Sequence, residues 1–286
     1  MSTEAPTRAA RGRGAATGHT RTSPLPLFRR ALADSWRSLI AWSIGIAAAI
    51  ALYLPLYPSL AATSEMQSLI DSLPPELINA LGYYSLATGA GYTQSTFYGL
   101  IGFLLFTIAA VSWGTAAVAG DEESGSLELT LAHGVSRGQL VLERSAAIAV
   151  RLAWLGLWAS ALIIAITDSA ELDLEPGNVL AASAALVGLT LVTASVGVAV
   201  GAITGRKLYS TAGAAGVAVL GYAINAVANQ TPDLDWLHRF SPYDWAFGGL
   251  PLAEGADPGA LLALYGIAAA LIAVGAIALG RRDVSP

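Results

Sequence analysis

One short segment of the chain has the residue types and the spacing of a nucleophilic site. Gly134-Val135-Ser136-Arg137-Gly138 has the Gly-x-Ser-x-Gly spacing that, in hydrolases, holds a serine nucleophile on a sharp turn. Ser136 also precedes Gln139 by three residues, which is the spacing of a capping box at the start of a helix. We expect the Ser136 hydroxyl to cap that helix, and this use of the serine argues against hydrolysis.

Neither a metal site nor a nucleotide site has a matching pattern. The chain has no cysteine, and its three histidines, His19, His133 and His238, fall in three different predicted segments. They cannot form a zinc site without help from carboxylates. The single lysine, Lys207, does not belong to a Gly-x-x-x-x-Gly-Lys-[Ser/Thr] phosphate-binding loop. We therefore expect this chain to bind no metal and no cofactor.

The composition is that of a membrane protein. Of the 286 residues, 55% are hydrophobic and 12% are charged, whereas about 25% of the residues of a soluble protein are charged. The formal net charge of -5 gives no reason to expect a nucleic-acid partner. The expected environment of the chain is the lipid bilayer.

Apolar runs long enough to cross that bilayer occur along most of the chain. About 20 helical residues cross the hydrocarbon core, and lipid offers no partner for unpaired backbone groups. The ~10-residue alternation of an outer-membrane barrel is absent. We predict an all-α integral membrane protein with six transmembrane helices, at about 39–57, 97–119, 145–167, 179–203, 209–228 and 259–280.

Two segments precede the first span. Residues 1–24 are polar and basic with almost nothing to bury, so we predict a disordered arm before a single six-span domain over 25–286. From Leu25 to Leu39, apolar residues recur at helical spacing, which predicts an amphipathic helix lying in the membrane interface. These residues are Leu25, Phe28, Leu32, Trp36 and Leu39. The alternative is that this helix only extends the first span.

The basic residues indicate the orientation. All but Arg151 and Arg239 of the 15 lysines and arginines lie before the first span, after the last one, or in alternate loops between. By the positive-inside rule, these segments and both termini are cytoplasmic, as in a plasma-membrane protein. Arg151 lies in the third span, roughly 10 Å deeper than Arg144 along the helix axis. It either snorkels back to the surface or lines a translocation path.

The outer loops and a glycine ridge complete the expected architecture. The loop 58–96 contains two predicted short helices, at about 66–73 and 75–82. In the loop 229–258 we expect the aromatic residues to be interfacial anchors. Small residues four apart at the end of span four form a ridge on which another helix can pack, with a dimer contact as the alternative. The aromatic residues are Trp236, Phe240, Tyr243, Trp245 and Phe247, and the ridge is Gly197, Gly201 and Gly205.

A polar stretch, 120–137, separates spans two and three. We predict that span two ends near Ala119 and that a short helix over 126–133 follows, capped by Ser124 or Ser126. On a soluble partner, the leucines of this helix would pack into a groove while its acids set the register. The alternative is a well-capped turn with no partner.

This stretch resembles the signature of type-2 ABC transporter permeases. The matching residues are Glu122-Glu123-Ser124-Gly125-Ser126-Leu127-Glu128-Leu129-Thr130-Leu131, followed by Gly134-Val135-Ser136-Arg137. Thr130 stands where leucine is usual, and Gly134 replaces proline. The resemblance extends to the whole chain, because the amphipathic helix, the six spans and the cytoplasmic ends follow the same order.

The resemblance implies a six-span half-transporter that exports its substrate by alternating access. The helix 126–133 would be the coupling helix on which an ABC ATPase subunit docks, with ATP and Mg bound by that partner, in two copies. A second permease subunit, identical or related, would complete the transporter. The positions implied in coupling are Glu122, Glu123, Gly125, Leu127, Glu128, Leu129, Ser136 and Arg137.

Two other functions remain open from the sequence. A secondary carrier would need ionisable groups near the middle of the membrane, and the predicted spans carry no acid at that depth. A membrane component that uses ATP hydrolysis for sensing or maturation would have the same sequence features as a transporter subunit.

Overall fold

The computed structural model describes residues 25–61, 88–127, 130 and 135–282, and within them all regular structure is helical. The predicted arm 1–24 and the two predicted helices at 66–73 and 75–82 lie outside these residues. So do Glu128, Leu129 and residues 131–133 of the predicted coupling helix, and Gly134 after it.

Six long helices follow a short one. Each of the six is long and apolar enough to cross a membrane, which confirms the predicted number of spans. Between the last two lie a 3-10 helix, Pro232–Phe240, and two short helices, α7 and α8. The helices are α1 (Pro26–Asp34), α2 (Trp36–Ser59), α3 (Gly89–Glu123), α4 (Arg137–Ile166), α5 (Pro176–Thr204), α6 (Lys207–Ala228), α7 (Pro242–Phe247), α8 (Pro251–Glu254) and α9 (Pro258–Arg281).

Helix α3 is longer than the sequence predicts at both ends. It begins at Gly89 rather than near 97, and it continues to Glu123 rather than ending near Ala119. Both extensions include π-helical turns, Gln94–Ile101 and Ala116–Gly120. The prediction was wrong here because an apolar run reports only the part of a helix that suits lipid. The N-terminal end of α3 is buried, and Thr93 and Gln94 are among its buried polar residues. The acids at its C-terminal end, Asp121 to Glu123, are partly or fully exposed.

Helix α5 is the centre of the bundle. It packs against α3, α4, α6 and α9, and 83% of its most apolar stretch is buried, against 17% for α9. The predicted glycine ridge explains how α3 and α6 come so close to α5. A Cβ at Gly197 would lie 3.3 Å from the backbone of Gly114, and one at Gly201 would lie 3.2 Å from Ala119 Cβ. The ridge is therefore used inside the bundle, as predicted.

Helix α1 is held by a buried acid of α4. Its N-cap residue, Leu25, provides no side-chain cap. Instead, Glu143, which is 3% exposed, accepts a hydrogen bond of 2.9 Å from the backbone N–H of Phe28. The carboxylate thereby satisfies an N–H group that the helix cannot satisfy itself. A helix thus begins at Pro26 as the apolar spacing predicts, but it ends at Asp34 rather than at Leu39, because the helix is interrupted at Ser35 and α2 begins at Trp36. Its place in a membrane interface stays a prediction.

At the opposite end of the bundle, the aromatic residues of the loop 229–258 divide into two groups. Trp236 and Phe240 are exposed, as expected of interfacial anchors. Phe247 is buried, and Tyr243 packs edge-on against it while its hydroxyl donates to the carbonyl of Gly99 at 2.8 Å. The anchor prediction is wrong for these two residues, because α7 places them against the bundle.

This end also contains a close contact between a histidine of the 3-10 helix and a carboxyl group of α7. His238 Nδ1 lies 2.8 Å from Asp244 Oδ1. Burial raises the pKa of the Asp244 carboxyl, and the neighbouring His238 opposes that rise. The pair therefore holds the loop in place at some cost in desolvation.

Gln94 connects α3 to this loop. Its amide donates to the carbonyl of Phe247 at 3.0 Å and accepts from the N–H of Leu252 at 3.2 Å. Gln94→Leu should lower the stability of the folded chain by about 1–3 kcal/mol, because two buried backbone groups lose their partner. Thermal unfolding in detergent measures this. The control, Gly249→Ala, lies where a Cβ meets no atom within 4 Å and should melt like the wild type. Equal melting of the two variants would contradict the prediction.

Candidate functional site

The polar stretch 120–137, which we call the acidic turn, joins α3 to α4. Gly125 ends the helical run in the left-handed region, with φ +72°. The hydroxyls of Ser124 and Ser126 both donate to the carbonyl of Asp121, at 3.1 and 3.2 Å. These serines therefore complete the end of α3, where the sequence predicts a cap on the following helix. The reason is that α3 continues to Glu123 and leaves carbonyls there without helical partners.

Asp121 connects the acidic turn to α4. Its carboxylate forms an ion pair with Arg144, and the same guanidinium donates to the carbonyl of Ala117 at 2.6 Å. Ala117 lies in the π-helical turn of α3, where the wider backbone leaves carbonyls open to other donors. Arg144 thus binds both the Asp121 carboxylate and a free carbonyl of the π-helical turn. These contacts attach the start of the acidic turn to α4.

The next two acids reach two other helices. Glu122 forms an ion pair with Arg282, the residue after α9. Glu123 accepts a hydrogen bond of 2.8 Å from the N–H of Lys207, the first residue of α6. A carboxylate at this position interacts favourably with the positive end of the α6 dipole. Consecutive acids of the turn therefore contact α4, α9 and α6.

Arg282 joins the largest number of elements in this site. Besides Glu122, it donates to the carbonyl of Ala202 on α5 at 3.0 Å. Its own carbonyl accepts a hydrogen bond from Arg137 at the start of α4. The end of α9 is thus connected through one residue to α3, α4 and α5.

Gly205 makes room for this ion pair. It ends α5 with φ +67°, a backbone conformation that residues other than glycine rarely adopt. A Cβ at this position would lie 2.5 Å from Glu122 Oε1 and 2.7 Å from Arg282 Nη2. The third glycine of the predicted ridge therefore serves the polar site, while the other two serve helix packing.

Ser136 caps α4, as predicted from its spacing. Its Oγ accepts a hydrogen bond of 3.1 Å from the N–H of Gln139. The reciprocal half of a capping box does not form as expected, because the Gln139 amide donates to Glu143 at 2.6 Å. Leu140 is fully buried, and Val135 packs against the core. The serine is a structural residue here, as the start of a helix requires.

Leu127 has a different place from the one expected. It is fully buried within the core of this chain, so it cannot enter a groove on a partner. Its burial instead holds the acidic turn against the bundle. Glu128 and Leu129 lie outside the described residues, and their coupling role stays a prediction.

Arg151 is 9% exposed in the third span. Its Nε donates to the carbonyl of Ala147 at 3.1 Å, and its guanidinium lies over the ring of Trp113, 4.6 Å from the centroid. It borders a cavity at the acidic-turn end of the bundle. Arg151 thus borders an open space rather than lipid alone, and its part in a translocation path stays a prediction.

Three residues of this site were not predicted from the sequence as site residues: Asp121, Arg144 and Arg282. The positions of these charges could have indicated a site, because all three lie next to the ends of predicted spans. The sequence did not indicate which charges pair, since Glu122 and Arg282 lie at distant points of the chain. In the part of the chain that the structure describes, no group of three histidines, cysteines or acids could hold a metal ion.

A comparison with curated proteins gives no match. The chain does match a family model described as ABC-2 family transporter protein, over residues 25–284. The matched region includes all six long helices and the acidic turn. We conclude that this multi-pass membrane protein belongs to the ABC-2 transporter family, as a permease component.

Proposed function

We propose that this chain is the membrane-spanning subunit of an ATP-driven exporter, and that the acidic turn receives the force from a separate ATPase. The observation that carries the proposal is the set of contacts of Asp121, Glu122 and Glu123 with α4, α9 and α6. A push on the turn would act on all these helices together, because polar contacts and buried side chains transmit displacement between packed elements.

The motion would be alternating access. The helices that the turn contacts pack around α5, which is the most buried helix of the bundle. Rotation of the outer helices about this centre would open one face of the bundle and close the other. The close glycine contacts would keep α3 and α5 together during this motion, since α3 cannot slide over α5 without a backbone clash.

The proposed partners follow from the family and the charges. The acidic turn would face the cytoplasm of a plasma membrane, with both termini on the same side, according to the positions of the basic residues. Two ATPase subunits would supply the nucleotide chemistry, with ATP and Mg bound there. A second permease subunit, identical or related, would complete the path. Glu128 and Leu129 would provide the contact to the ATPase, with Glu122, Glu123, Gly125, Ser136 and Arg137 holding the turn in shape.

Charge reversal in the turn tests this proposal. With Glu128→Arg, we expect at least about tenfold less ATPase to co-purify with the tagged chain from its native membranes, because an interface charge pair becomes a repulsion. ATP hydrolysis in the purified fraction should fall in parallel. The control is Glu254→Arg, an exposed acid of α8 at the opposite end of the bundle, which should leave both quantities unchanged.

Two results would contradict the proposal. One is ATP hydrolysis by the isolated chain, free of any partner, at a rate that substitutions in the acidic turn alter. The other is unchanged co-purification of the ATPase with Glu128→Arg when the variant and the wild type melt at the same temperature.

A further inference from the structure

A cavity opens beneath α1 at the acidic-turn end of the bundle. Its volume is about 810 Å³, and its walls come from α1, α3, the acidic turn and α4. The lining combines apolar and charged side chains. The charged and aromatic members are Arg30, Asp34, Trp113, Asp121, Arg144 and Arg151.

The charges around the cavity do not cancel. Arg144 is paired with Asp121, and Arg30 lies 3.5 Å from Asp34. Arg151 has no carboxylate within ion-pair distance among the residues that the structure describes. Its guanidinium has the Ala147 carbonyl and the Trp113 ring as partners, and most of its donors point to neither. A cation this deeply buried is costly unless an anion compensates it.

An apolar groove lies beside the cavity, between α2 and α4. Its volume is about 670 Å³, and its lining is almost entirely apolar. Three tryptophans and several small residues line it, among them Trp36, Ala47, Ala48, Trp154 and Trp158. Trp158 is fixed by a hydrogen bond of 3.0 Å from its Nε1 to the carbonyl of Ser43.

The cavity and the groove are lined by residues that are close together in the chain. Ser35 borders the cavity, and its neighbour Trp36 borders the groove. On α4, Arg151 borders the cavity and Trp154, three residues later, borders the groove. Residues three apart on a helix are neighbours on its surface. A cationic site is therefore followed directly by a space that suits a hydrocarbon chain.

We propose that an anionic phospholipid binds here, with its phosphate on the Arg151 guanidinium and an acyl chain in the groove between α2 and α4. Guanidinium groups bind phosphate through two parallel hydrogen bonds, and basic pockets between spans recognise anionic headgroups. The lipid would come from the leaflet at the acidic-turn end. Because the cavity borders the turn, the bound lipid would also brace α1 against α3 and α4.

The chemistry of the two spaces favours a lipid over other occupants. Free phosphate would satisfy Arg151 but would leave the groove empty. A helix from a second copy of the chain would fill the groove but would bring no anion to the cavity. An anionic amphiphile satisfies both spaces at once.

Lipid titration of the purified protein tests the proposal. The delipidated chain in detergent is titrated with phosphatidylglycerol or phosphatidylcholine, and binding is followed by native mass spectrometry. The wild type should bind phosphatidylglycerol about tenfold more tightly than phosphatidylcholine. The reason is that the headgroup of phosphatidylglycerol has a net negative charge, which strengthens the charge-assisted hydrogen bonds from Arg151 to its phosphate. Arg151→Gln should remove this preference, and Arg151→Lys should retain part of it. The control, Arg206→Gln, removes an exposed cation that lines neither space and should keep the full preference.

The other arms identify the source of the anion and the role of the groove. Ala47→Phe, which fills the groove, should weaken the binding of both lipids and leave their ratio unchanged. Inorganic phosphate in excess should not displace the bound lipid. The proposal is overturned by equal affinity for the two lipids in the wild type, by an unchanged preference in Arg151→Gln and Arg151→Lys, or by displacement with phosphate. It is also overturned if Ala47→Phe dissociates oligomers while lipid binding persists.

Discussion

Gly114→Val should prevent α3 from packing on α5 and should unfold the bundle. A Cβ at Gly114 would lie 2.5 Å from the carbonyl oxygen of Ala194 and 3.0 Å from its Cα. Both atoms belong to the backbone of the central helix, so no change of rotamer relieves the clash. Overpacking a tight core costs about 1–3 kcal/mol and more when backbones must separate, and we expect the upper end of this range or beyond for valine.

The expected result is a large fall in melting temperature, or loss of the monodisperse peak in size-exclusion chromatography. Gly266→Val is the matched control. Gly266 lies in α9, is exposed, and a Cβ there meets no atom within 4 Å. It tests the intrinsic cost of a β-branched residue in a helix, which is well under 1 kcal/mol relative to alanine for most hosts. If Gly114→Val melted with the control, the close crossing of α3 and α5 would be refuted.

The second large effect concerns the ion pair between Glu122 and Arg282. Arg282→Ala should free the acidic turn from α9 and leave the Glu122 carboxylate without its cation. Each side chain is 23% exposed, so water screens part of the interaction. We expect a coupling energy of about 1–2 kcal/mol between the two positions, between the values for surface and buried pairs. Function should suffer more than stability, because the turn would then move without α9.

A double-mutant cycle with Glu122→Ala measures this coupling in the thermal unfolding of the purified chain. The functional readout is ATP hydrolysis in the complex isolated from membranes. Arg281→Ala is the matched control, since Arg281 is the exposed neighbour of Arg282. Additive effects of Glu122→Ala and Arg282→Ala, with hydrolysis equal to that of Arg281→Ala, would show that the pair has no role in the turn.

Much of the fold was predictable because lipid imposes a simple rule on a sequence. A span must be long, apolar and helical, so the six spans could be identified before any contact was known. Local rules worked equally well where they depend on neighbouring residues. The spacing of Ser136 and Gln139 predicted the cap of α4, and the glycines of α5 predicted a close helix contact.

The errors occurred where a distant part of the chain covers a residue. Phe247 reads as an interfacial aromatic, yet α7 turns it toward the bundle. Leu127 reads as a contact for a partner, yet the core of this chain buries it. The N-terminal end of α3 falls in a predicted loop, yet it is a buried helix whose Gln94 bonds to the loop 229–258. In each case the local pattern correctly indicated the polarity of the segment, but it could not predict which distant part of the chain would pack against it.

The sequence by itself determined the class of protein, the number of spans and the position of the acidic turn. These properties depend on hydrophobicity and on spacing within one segment. The tertiary structure alone decided which helices the three acids of the turn contact. It also decided that Arg151 borders a cavity with no carboxylate of the described residues within ion-pair distance. Such contacts join residues as far apart as Glu122 and Arg282, and they exist because packing around α5 brings the ends of α3, α4, α6 and α9 together.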